Sequence, residues 1–247
     1  MSRLFEELDY RPTPIGALVL RRRREARLGV DIIEIKLGDE HLMSDLFTAS
    51  EIALAQLGLA ACVGEGLDVV VGGLGLGYTA KAALDDARTG SLIVVEFLDA
   101  VLDWHRTGLL PLGPGLTADP RCRLVEGDFF AMARGEGFDP AAAGRTFDAI
   151  LLDIDHSPDA LLDPRSESFY QPEGLASLAS HLKPGGIFAL WSDALPDAAF
   201  TARLDAVFAE ARAEPVTFHN PLTERPFTQT VYVARKGEGK RAAAPIA

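Results

Sequence analysis

The stretch from Leu67 to Thr79, Leu-Asp-Val-Val-Val-Gly-Gly-Leu-Gly-Leu-Gly-Tyr-Thr, constrains the fold of this chain more than any other. Three consecutive valines run into a glycine-rich turn and then into an Ala-rich segment, which spells strand, tight turn and helix. An apolar strand without polar alternation is buried on both faces, and that requires a parallel sheet covered by helices. Glycines Gly72, Gly73, Gly75 and Gly77 let the backbone turn sharply and approach a ligand, while the following helix offers free N–H groups.

The pattern continues downstream. Apolar runs at 91–97, 121–126, 147–153 and 186–192 predict further strands, with helices at 78–89, 99–106, 128–134 and 172–182 between them. A helix over 197–212 then precedes two closing strands at 215–219 and 228–234. The expected architecture is α/β, a seven-stranded, mostly parallel sheet with helices on both faces. Ahead of it, 17–24 and 30–36 read as a hairpin and 46–61 as a helix. The chain thus divides into a small N-terminal β segment (1–46), a catalytic domain (47–236) and a flexible tail (237–247).

Charge and cysteine usage narrow the function. With 24 basic against 36 acidic side chains the net charge is −12, which disfavours phosphate backbones and favours a cationic small molecule. The run Arg21 to Arg24 therefore reads as a charge-protected edge strand rather than a nucleic-acid patch. Cys62 and Cys122 match no zinc or disulfide spacing, and two free thiols suit a reducing cytosol. No apolar run approaches the roughly 20 residues that span a bilayer, and the start has no basic-then-apolar leader order. A cytoplasmic protein with neither nucleic-acid nor membrane partners is expected.

Three strand ends carry chemistry. Glu96, at the end of the strand after the glycine turn, can accept both hydroxyls of a ribose. The dinucleotide form of the loop, Gly73-x-Gly75-x-x-Gly, needs a glycine at position 78, where this chain has Tyr78, so a phosphate-free S-adenosyl nucleoside is favoured over NAD or FAD. Asp128, in Gly127-Asp128, can accept the exocyclic amine of adenine, cap the next helix, or do both. Asp153-Ile154-Asp155-His156 ends the fourth strand of the parallel set, where such sheets place their reactive groups. Together with Asp193 these residues superficially resemble a magnesium site of catechol-type O-methyltransferases. That family has Asn after the late Asp, where this chain has Ala194, and no metal is expected.

From about Val30 to Lys236 the sequence resembles the spermidine synthases, polyamine aminopropyltransferases on the class I methyltransferase, Rossmann-like fold. Their D-x-F-x-Y-[HQ]-E segment lines up with Asp45 to Glu51, their G-G-G-D-G-G loop with Gly72 to Gly77, and their V-E strand end with Val95-Glu96. Their D-P-R-V...G-D stretch lines up with Asp119 to Asp128, and their catalytic loop with Asp153 through Phe169-Tyr170. Leu182 to Gly186 matches the shared turn before the fifth strand. The chain departs from the family at Ala49 and Ser50 (Tyr and His/Gln), at Gly75 (Asp) and at His156 (Asp). The resemblance implies Asp45, Glu51 and Tyr170 as substrate-binding residues, Gly72, Gly73, Gly75, Gly77, Glu96, Asp128 and Asp153 as the nucleoside site, and a homodimer.

A sulfonium carbon is attacked in line by a neutral nucleophile, so an amine of pKa ~10 must shed its proton on binding. Asp153 is positioned to take it, with Asp155 or His156 assisting. His41, His105, His181 and His219 are expected in structural or solvent-facing roles. The leading expectation is aminopropyl transfer from decarboxylated S-adenosylmethionine to an amine, leaving methylthioadenosine. Methyl transfer from S-adenosylmethionine to N or O, leaving S-adenosylhomocysteine, is the rival, favoured by Gly75. A non-catalytic nucleoside-binding protein is the third reading, motivated by Ala49 and Ser50.

Overall fold

A computed structural model describes residues 4–238; the tail expected beyond Gly237 lies outside the described residues from position 239 onward. Four antiparallel strands come first: β1 (Phe5–Thr13), β2 (Gly16–Glu25), β3 (Val30–Leu37) and β4 (Glu40–Ser44), paired in chain order. Helix α1 (Ala49–Ala60) leads into β5 (Leu67–Gly72), α2 (Tyr78–Asp85), β6 (Thr89–Glu96), α3 (Asp99–Arg106), α4 (Gly113–Ala118), β7 (Cys122–Glu126) and α5 (Phe129–Arg134). There follow β8 (Phe147–Leu152), a 3-10 helix (Pro164–Tyr170), α6 (Pro172–Ser180), β9 (Leu182–Ser192), α7 (Ala198–Asp205), β10 (Glu210–Asn220) and β11 (Arg225–Arg235).

These last seven strands form one sheet in the order β10-β11-β9-β8-β5-β6-β7. Strands β5 to β9 run parallel, and the β10/β11 hairpin adds antiparallel to β9. Strand side chains alternate between faces, and both faces are apolar. Val69 and Val71 pack with α1 to α4, while Val70 packs with the elements after β7. The same division holds for Leu151 against Ile150 and for Ala189 against Phe188. Continuous apolar runs are therefore the signature of this doubly covered sheet. The order reverses between β5 and β8, and such a switch point opens a crevice at the carboxyl ends of the strands.

The N-terminal sheet closes one side of that crevice. Its Leu18, Leu20, Ile33 and Ile35 join the same core as β5 and α1. The Trp104 indole donates to Asp9 Oδ2 at 2.7 Å, and the Leu76 amide meets Met43 Sδ at 3.3 Å, tying β1 to α3 and β4 to the glycine turn.

Several expectations change in the tertiary structure. The arginine run does not lie on an edge: β2 is flanked by β1 and β3, and Arg21 and Arg23 both bind the carboxylate of Glu34, itself only 1% exposed. The helix expected over 197–212 stops at Asp205. Beyond it Phe208 stacks on Phe188 at 5.9 Å, and Glu210 pairs with Arg235, so long-range packing overrides local helical propensity. Strands β1 and β4 were not legible, because their sequences are largely polar and lack an apolar alternation. Among the described residues, no helix is long and apolar enough to cross a membrane.

Candidate active site

A cavity of about 570 Å³ occupies the crevice at the carboxyl ends of β5, β6 and β8, roofed by the N-terminal sheet and by the β10/β11 hairpin. Its glycine wall is shaped by Gly73, whose φ of +91° lies in the left-handed region. A Cβ there would also run into the carbonyl oxygen of Asp153, so only glycine lets these two strand ends meet. The Asp153 amide seals that junction by donating to Gly72 O at 2.8 Å. Gly73 and Gly75 border the cavity. Gly72 ends β5 against Phe129 and Gly77 caps α2 against Leu116 and His105, so these two shape the turn without bordering the space.

Glu96 lines the cavity and is almost wholly buried. Its Oε2 accepts the Leu74 amide at 2.9 Å and its Oε1 the Leu98 amide at 2.8 Å. Burial raises its pKa, and the backbone amides pull the other way. Each carboxylate oxygen keeps a second lone pair for a ribose hydroxyl. Asp128 also lines the cavity and caps α5, accepting the Ala131 amide at 3.1 Å, so the capping role is realised and one oxygen stays free. Phe130 and Ile154 supply apolar surface beside these groups, fitting a planar base. The residues thus suit a nucleoside, with a glycine cradle that admits no side chain and a buried acid beside it.

One side of the cavity is carboxylate-rich. Asp153, Glu51 on α1 and Asp193 after β9 all border it. Burial pushes Glu51 up to about 7, and the repulsion of Asp153 adds to this. Asp153 is pushed up to about 6 by burial, opposed by a hydrogen bond from Thr79. Thr79 Oγ1 lies 2.6 Å from Asp153 Oδ2 and 3.2 Å from the Glu51 carbonyl. A hydroxyl has one proton and cannot fully serve two acceptors, whereas a protonated Asp153 would donate to Thr79 and free it for the carbonyl. Ser50 donates to Glu51 Oε2 at 2.9 Å.

The other expected site residues divide between the cavity wall and the packed interior. Asp155 borders the cavity, but its Oδ1 accepts the Leu162 amide at 2.7 Å and its Oδ2 the Tyr170 hydroxyl at 2.7 Å and Ser166 Oγ at 3.2 Å. With these donors in place it anchors the loop from Asp153 to Tyr170. Tyr170 is buried beneath that loop and does not reach the cavity, and burial raises its pKa well above the ordinary value. Asp45 likewise stays outside: its Oδ1 accepts the Ile33 amide at 2.9 Å and fixes the exit of β4. His156 borders the cavity, and its carbonyl accepts the Asp193 amide at 2.7 Å. His105 and His181 are buried and bonded to the carbonyls of Gly75 and Ala133, whereas His41, also expected to be structural or solvent-facing, borders the cavity.

The sequence did not single out Thr79, Trp191 or Gln229, nor the rings of Phe218 and Phe227, all grouped at this crevice by β pairing and the Gly turn. Only the period-2 pattern of β9 and β11 hints at Trp191, Asp193 and Gln229 sharing a face. Among the described residues no cluster of metal-ligating side chains is present.

Solved structures share this architecture. A spermidine synthase from Thermotoga maritima superposes with a TM-score of 0.71 at 18% identity, over 94% of this chain and 74% of that one. A spermidine synthase in complex with the transition-state analogue AdoDATO gives 0.69 at 17% identity, over 94% and 73%. At such identity the likeness is one of fold. No protein-family model and no curated protein matches the chain.

Proposed function

We propose that this protein is a spermidine-synthase-like transferase that binds an S-adenosyl sulfonium nucleoside and alkylates an amine, with aminopropyl transfer from decarboxylated S-adenosylmethionine as its reaction. The observation that carries the reading is the pair of carboxylates on the cavity wall, buried Glu51 and half-buried Asp153, beside the glycine cradle, with Asp193 alongside. A cationic donor and a cationic acceptor are drawn to such a wall, whereas the carboxylate of intact S-adenosylmethionine would meet like charge there. The donor supplies an electrophilic carbon next to a positively charged sulfur.

Asp153 and Glu51 orient the incoming ammonium and accept its proton. Their raised affinity for protons makes them better bases than an exposed carboxylate. As the new N–C bond forms, the C–S bond breaks and the sulfur leaves as a neutral thioether; the amine proton passes to the carboxylate pair. Glu96 and Asp128 hold the ribose and the base, and Asp155, Tyr170 and Ser166 keep the catalytic loop in register. The methyl-transfer rival draws on Gly75, which removes the acidic side chain the family uses toward the donor amine.

Calorimetry decides between them. Binding of decarboxylated S-adenosylmethionine at least tenfold tighter than S-adenosylmethionine supports the aminopropyl reading, and the reverse order sinks it. Failure of Asp153→Asn to lower turnover would favour a nucleoside-binding protein without catalysis.

A homodimer is proposed through β1, an edge strand that exposes Phe5 and Tyr10, with Leu4 exposed just before it. Sedimentation at a mass near 26.5 kDa would refute it. The unpaired thiols Cys62 and Cys122 accord with a reducing cytosol.

A further inference from the structure

Two residues bordering the cavity each carry a buried polar atom with no partner among the described residues, the indole N–H of Trp191 and the amide oxygen of Gln229. Strand pairing puts both on one face. Trp191 lies opposite Val231 in the β9/β11 ladder, and Gln229, two residues from Val231, shares its face. Gln229 is only 8% exposed. Its amide nitrogen donates to Asp193 Oδ1 at 2.6 Å, which fixes the amide orientation and leaves the oxygen as the free end. A buried donor or acceptor without a partner costs about 1–3 kcal/mol, and folded chains rarely leave two on one cavity wall.

The polarities of these atoms specify what meets them. An ammonium group is a donor only and satisfies Gln229 and Asp193, but an indole N–H also only donates. A plain diamine therefore leaves Trp191 unpaired. A hydroxyl accepts from the indole and donates to the amide oxygen, and an anionic oxygen would be opposed by Asp193. The rings of Phe47, Phe218 and Phe227, stepped 6.2 and 5.7 Å apart along the same cavity, add apolar surface for a carbon chain.

We infer that Trp191 and Gln229 are specificity residues for the acceptor, and that the acceptor is a hydroxylated amine: its nitrogen sits at Asp153 and Glu51 and its hydroxyl bridges Trp191 and Gln229. This inference rests on the transferase reading above. The test uses the full chain saturated with methylthioadenosine and titrates 4-amino-1-butanol against its isostere pentylamine. The hydroxylated amine is expected to bind about five- to tenfold tighter. Trp191→Phe, which deletes the N–H and keeps the ring, is expected to bring the two amines within twofold while leaving methylthioadenosine affinity unchanged. Gln229→Met is the second variant and is expected to do the same. Equal binding of the two amines to the parent, binding of neither, or a preference that survives both variants overturns the inference and leaves the donor assignment standing. Failure of methylthioadenosine itself to bind overturns the transferase reading, and the inference falls with it.

Discussion

Glu51 offers a measurable consequence of burying one carboxylate beside another. Its side chain is 7% exposed, and its pKa rises from an ordinary 4.5 to about 7 through burial and the neighbouring Asp153. A carboxyl raised in the folded state binds a proton more tightly folded than unfolded. Its contribution is therefore neutral to favourable below about pH 4.5, declines as the pH rises toward 7, and levels off above that. At 1.36 kcal/mol per pH unit the full swing is about 3 kcal/mol, and sharing of the proton with Asp153 reduces it to about 2–3 kcal/mol. Glu51→Gln removes the titrating group and keeps the shape. The quantity to follow is the melting temperature of the variant minus that of the parent, from pH 4 to pH 8, by calorimetry. It should rise by roughly 5–10 °C across that range, given about 2–4 °C per kcal/mol for a chain of this size. Parallel curves for the two proteins would show that Glu51 titrates as if exposed and would refute the reasoning.

Asp153→Asn should lower turnover about 10²- to 10⁴-fold, as loss of a general base does, with nucleoside affinity by calorimetry unchanged. In the parent, kcat/KM should rise with pH through the range of about 6 to 7 as the coupled pair Asp153 and Glu51 loses its proton, a limb that steady-state assays on the two single variants would shift or erase. Gly73→Ala meets both a left-handed backbone and the Asp153 carbonyl, and should cost about 2–4 kcal/mol in urea unfolding and abolish nucleoside binding. Tyr170→Phe removes one of the donors to buried Asp155 and should destabilise the protein by about 1–3 kcal/mol, with nucleoside affinity held within twofold.

The sequence alone determined the architecture of the sheet. Runs such as Val69 to Val71 and Ala149 to Leu152 are apolar at every position, and only a sheet covered on both faces buries both sets of side chains. The Gly73 turn and Glu96 were legible for a related reason: a turn and the strand end beside it are set by neighbours close in the chain or by one register step. Assigning roles within the carboxylate cluster required the tertiary structure. Asp153 and Asp155 are two residues apart and equally acidic in sequence, yet one faces the cavity with a single hydroxyl partner while the other is consumed by Leu162, Ser166 and Tyr170. Asp45 was lost to a backbone amide for the same reason. Thr79, Trp191 and Gln229 were invisible because their significance lies in partners 28 to 74 residues away, or in having none, and hydrogen-bond satisfaction is a property of the packed chain. Hydrophobic pattern fixes which faces are buried; which buried polar atom is spent and which is left over is decided only when the strands and helices have closed around it.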